Sequence, residues 1–123
     1  MKKIIYLLVI IFISLGVHAQ IANTKWAVTL QLDDAVDVLF NFGTDTLEVI
    51  SADDNSSLET MRYSTTDTVL TLQKLYGQSQ CDTAAIGKYS FTVNGNELWL
   101  KLISDDCTDR AGVIKDIKLE KKE

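Results

Sequence analysis

The side chains that carry most protein chemistry are scarce in this chain: one histidine, His18, and two cysteines, Cys81 and Cys107. His18 lies at the end of an N-terminal segment expected to be removed. Without it neither a Ser-His-Asp nor a Cys-His arrangement can be assembled, and a histidine-containing zinc site cannot either. What remains is carboxylate chemistry. Asp33 with Asp34, Asp53 with Asp54 and Asp105 with Asp106 are adjacent pairs of the kind that could supply an acid and a base. Each pair falls in a segment read as a loop, where neighbouring aspartates form turns and stay solvated. No catalytic residue is therefore assigned, and the chain is read as a non-enzyme. Asp105, Asp106 and Asp109 also offer oxygens of the kind calcium takes, but neither the spacing of an EF-hand loop nor a Gly-rich repeat is present, so no metal and no cofactor is assigned.

The N-terminal segment reads as an export signal. Lys2 and Lys3 precede an apolar run from Ile4 to about Leu15, and Val17 and Ala19 are small enough to stand before a cut that leaves Gln20 first. A membrane anchor is the alternative, and the run is too short for it: spanning about 30 Å of hydrocarbon takes about 20 residues at 1.5 Å each. The chain is thus divided into a signal peptide over 1–19 and one domain over 20–123, placed in the periplasm or outside the cell. In such an oxidising compartment an even cysteine count reads as a disulfide, Cys81 to Cys107. Losing Lys2 and Lys3 takes the formal charge from −5 to −7. That acidic balance argues against nucleic acid as a partner, because the only lysine-rich stretch is the C-terminal tail, where Glu120 and Glu123 dilute it.

Apolar residues in the domain recur every second position, with no proline and no sustained helical spacing. This alternation predicts strands over about 26–32, 36–42, 46–51, 58–64, 68–74, 87–93, 97–103 and 113–121. Trp26, Val28, Leu30 and Leu32 share the inner face of the first, and Leu98, Leu100 and Leu102 that of the seventh. Asn94-Gly95-Asn96 is the strongest hairpin signal. Residues 75–86 read as a loop held by the disulfide, and 104–112 have room for one helical turn. About eight strands with short connections are antiparallel neighbours, and closing into a barrel removes the exposed edges. The fold class expected is all-β: a small up-and-down barrel, preceded by a cleaved signal helix, with a two-sheet sandwich as the alternative.

Three stretches then resemble a known group. Gly87-Lys88-Tyr89 in one strand, Asn94-Gly95-Asn96-Glu97-Leu98-Trp99-Leu100 across a turn, and Asp105-Asp106-Cys107-Thr108-Asp109-Arg110 are similar, in this order, to short bacterial lipocalin-like proteins of the calycin type. Trp26 is similar to the lipocalin tryptophan of the first strand, although Thr24 stands where that family has glycine. The resemblance implies an exported barrel, and it implies a structural pair in which Arg110 closes one end by lying on the Trp26 ring. It also implies a small hydrophobic ligand at the open mouth. The inward residues that would meet it are Phe40, Phe42, Met61, Tyr63, Tyr89 and Phe91. The same side chains are bulky enough to fill an eight-stranded barrel by themselves. The alternative function is an envelope structural or interaction protein, such as an inhibitor, that uses Trp99 and Ile103 on the outer face.

Overall fold

The computed structural model describes residues 21–122, so the signal peptide expected over 1–19 lies outside the described residues. Eight antiparallel strands follow one another around a closed barrel. They are β1 (Thr24–Gln31), β2 (Ala35–Phe42), β3 (Thr46–Ser51), β4 (Ser57–Thr66), β5 (Val69–Gly77), β6 (Ile86–Asn94), β7 (Glu97–Asp105) and β8 (Asp116–Lys122), with helix α1 (Thr108–Ile114) between β7 and β8. Pairing of Lys25, Trp26 and Ala27 with Lys122, Lys121 and Glu120 joins the last strand to the first. The sheet therefore closes on itself, with each strand paired on both sides over part of its length.

Parity along each strand puts the core inside. Trp26, Phe40, Phe42, Leu47, Leu70, Leu72, Tyr89, Leu98, Leu100 and Leu119 are all at most 1 % exposed. Burying a large apolar side chain contributes about 1.5–3 kcal/mol, so this interior is the main source of stability. Between β6 and β7 the chain reverses at Gly95, whose φ of +63° is a conformation that glycine adopts without steric cost.

Two apolar residues are more exposed than the alternation predicts. Leu32 is 46 % exposed, because β1 ends at Gln31 and Leu32 opens the turn to β2. Leu102 is 38 % exposed. Tyr89 lies opposite Leu102 and Lys88 opposite Ser104, so Ile103 is an unpaired extra residue that breaks the alternation. Strand β8 begins opposite Lys101, so β7 beyond that point has no strand on its far side, and the Leu102 N–H donates to Lys115 O at 2.7 Å. The strand β5 also runs to Gly77, shortening the expected loop to residues 78–85.

Candidate functional site

The two ends of the barrel differ. At the end where β1 starts, Ile21 is 2 % exposed and belongs to the same buried cluster as Trp26, Phe42 and Tyr63. Phe42 and Tyr63 meet edge to face with centroids 5.1 Å apart, and the Tyr63 hydroxyl donates to Gly43 O at 2.5 Å. Thr24 links this plug together: its hydroxyl donates to Ile21 O and accepts from the Trp26 indole N–H at 2.7 Å. The residue that departs from the lipocalin glycine therefore has its own work, satisfying a buried donor that would otherwise cost about 1–3 kcal/mol.

The pair expected between Trp26 and Arg110 is not formed. Trp26 lies opposite Lys121 near the end of β8, whereas Arg110 sits in the connection before β8 begins, so the strand separates them. The cation over the Trp26 ring is Lys121, with Nζ 5.9 Å from the centroid. Arg110 instead holds Asp105, through Nε to Oδ2 and Nη2 to Oδ1, each at 2.8 Å, and gives a third bond to Ala85 O at 3.1 Å. Their side chains are 4 % and 0 % exposed. The Tyr89 hydroxyl donates to the same Oδ2 at 2.5 Å, and the Cys107 N–H to Oδ1 at 2.8 Å.

Burial opposes the charge on Asp105, but the bonds from Arg110, Tyr89 and the Cys107 N–H more than offset it and hold its pKa below the ordinary carboxylate value. Burial likewise opposes the charge on Arg110, and Asp105 reverses the sign, leaving it above its usual value. Tyr89 is pushed up by burial and then by its bond to Asp105. Gly87 faces this cluster from β6, directly opposite Asp105. A Cβ there would stand 2.4 Å from Asp105 Oδ2, so only glycine leaves room for the pair.

Around this cluster the barrel has its open mouth. The turn at 32–34, the loops at 52–56 and 78–85, and α1 all lie at that end. Inside it is a cavity of about 510 Å³, within the usual range of small-molecule sites. Leu30, Phe40, Val49, Leu58, Met61 and Ile114 give it mainly apolar walls. Arg110 lines it too, and its Nη1 is buried with no hydrogen-bond partner among the described residues.

The rim is fixed rather than loose. Cys81 and Cys107 are bonded, with Cα atoms 5.4 Å apart, tying loop 78–85 to the start of α1. Ser79 donates through Oγ to Glu59 Oε2 at 2.5 Å and through N to Glu59 Oε1 at 3.1 Å, and its carbonyl accepts from Lys74 Nζ at 2.6 Å. Glu59 and Lys74 are each 9 % exposed. Both stand on the inward parity of Met61, Tyr63, Leu70 and Leu72, a placement that sequence reasoning missed although the alternation carried the signal.

Of the six inward residues expected to meet a ligand, Phe40 and Met61 line the cavity. Phe42 and Tyr63 belong to the plug at the other end, Tyr89 to the Asp105 cluster, and Phe91 to the core. No group of three or more His, Cys, Asp or Glu residues suited to a metal ion occurs among the described residues. Asp105 is taken up by Arg110 and Asp106 accepts from the Ile86 N–H at 3.3 Å, so the three acidic residues weighed for calcium do not converge. Compared with protein-family models, curated proteins and solved structures, the chain matches none.

Proposed function

We propose that this is an exported binding module of the lipocalin-like, calycin type, which takes a small hydrophobic molecule in the mouth of its barrel without transforming it. The carrying observation is the cavity of about 510 Å³: one end of the barrel is filled by its own side chains, and the other keeps apolar walls around open space. A disulfide and three polar bonds to Ser79 hold the rim, so little ordering entropy is lost when a guest enters. The disulfide also suits an oxidising compartment, in agreement with a signal peptide over 1–19. Arg110 Nη1 adds one buried, unpartnered N–H to the wall.

Titration with the neutral fluorophore N-phenyl-1-naphthylamine tests this reading. Saturable one-to-one binding that is lost in a Val49→Phe, Leu58→Phe variant of unchanged thermal stability supports it. Binding that is absent, or indifferent to filling the cavity, overturns it.

A second reading is a surface for another exported protein. It draws on Trp99, Leu102 and Ile103, which are 38 %, 38 % and 53 % exposed and are not covered by loop 78–85. Recovery of a second chain by the wild type but not by a Trp99→Glu, Ile103→Glu variant favours it over ligand binding.

A further inference from the structure

We propose that the guest of the mouth cavity carries a positive charge, as a lipophilic amine or quaternary ammonium does, and that Asp33 and Asp109 select it. This rests on the ligand-binding reading above and adds the chemical class. The argument is one of charge on an apolar site. Among the described residues lining the cavity, the ionisable ones are Asp33, Glu59, Asp109 and Arg110. Arg110 is matched oxygen for nitrogen by Asp105, so its positive charge is already cancelled where it stands. What it offers a guest is one N–H, without a net positive field. Glu59 is buried against Ser79, while Asp33, in the β1–β2 turn, and Asp109, in the first turn of α1, line the mouth and are exposed.

The surrounding connections add to the same sign. Asp34, Asp53, Asp54, Asp82 and Asp106 also lie in them, against Lys115 and against Lys74, whose Nζ reaches Ser79 O beside the Glu59 carboxylate. A mouth lined with hydrocarbon focuses the field of its rim, which raises the local concentration of ions of the opposite sign. A carboxylate on a hydrocarbon chain would meet repulsion at this entrance, and an ammonium would meet attraction. The hydrocarbon supplies the affinity and the rim supplies the choice.

The test compares decyltrimethylammonium, decanol and decanoate as competitors of bound N-phenyl-1-naphthylamine, all below their micelle concentrations. The chains match in length, so differences report the head group. At low ionic strength the ammonium is expected to bind about tenfold tighter than decanoate, about 1.4 kcal/mol. The ratio is expected to fall towards one in 0.5 M salt, where screening acts over only a few Å. It is also expected to fall in Asp33→Asn, Asp109→Asn, but not in Asp45→Asn, Asp67→Asn, which removes the same charge from the plugged end.

Equal or tighter binding of decanoate overturns the charge selection while leaving ligand binding intact. So does an equal response of the two double variants, because it assigns the preference to net charge alone. If the fluorophore itself does not bind, the ligand-binding reading fails, and the selection fails with it.

Discussion

Arg110 and Asp105, five residues apart in sequence, meet through two parallel 2.8 Å bonds in a place where neither side chain is more than 4 % exposed. The turn of chain that brings them together contains Cys107, whose N–H bonds the same carboxylate. Gly87 leaves the space and Tyr89 supplies another donor. Gly-x-Tyr and Asp-x-Cys-x-x-Arg, separate motifs in sequence, are therefore one assembly that closes the β6–β7 corner beside the mouth.

Breaking that pair strands a buried charge. Asp105→Asn is expected to cost about 3–5 kcal/mol by urea unfolding, because Arg110 loses its counter-ion without regaining water. Replacing both partners with apolar residues, as Arg110→Met with Asp105→Leu, is expected to cost less than Asp105→Asn alone. A cost below about 1 kcal/mol for the single variant would show that the pair is not buried in solution.

The same pair sets an acid response. Asp105 has its folded pKa below the unfolded value of about 3.9, so near and below that pH the unfolded chain binds more protons than the folded one. Its contribution is fully present above about pH 4 to 5 and is lost as pH falls through the folded pKa. The difference in unfolding free energy between wild type and Asp105→Asn should therefore stay level from pH 7 to about 5 and shrink below about 4. A gap that widens on acidification would contradict the assignment.

Gly87→Ala should be destabilising by about 2–4 kcal/mol, because its Cβ would enter the Asp105 carboxylate and something must shift. Gly112→Ala makes the matching control. Nothing lies within 4 Å of a Cβ at Gly112, in α1, and alanine there is expected to add about 0.5–1 kcal/mol through helix propensity. Thermal melts of the two single variants should move in opposite directions.

Removing the bond between Cys81 and Cys107 opens a loop of 26 residues, worth about 3.5 kcal/mol in the chain-entropy account. In Cys81→Ser, Cys107→Ser, amide exchange is expected to accelerate most over residues 78–85 and in α1. Uniform acceleration throughout the barrel would mean that the disulfide does not act on the rim in particular.

Alternating apolar residues made the strand count and the order of the connections legible in sequence, since a half-buried sheet writes a period of two directly into the chain, and the cysteine pair followed from an even count in a chain expected to be exported. Leu102 escaped because β8 begins only opposite Lys101, so that end of β7 is left without a strand beside it, which the local pattern does not reveal. Trp26 and Arg110 were expected together from a motif, yet the register between β1 and β8 gives Trp26 to Lys121. Register between the first and last strands is a long-range property and leaves no local mark. Glu59 and Lys74 were readable and overlooked, since polar residues on an inward parity announce a buried network or a site.

The proposed binding is tested most directly by methyl-resolved NMR of the oxidised protein during titration with N-phenyl-1-naphthylamine. The expected result is saturable shifts at Leu30, Val49, Leu58, Met61 and Ile114 at the mouth, with the methyls of Ile21 and Leu47 unmoved. Shifts confined to the exposed Leu102 and Ile103 near the end of β7, or no saturable shift at all, would contradict a guest inside the barrel.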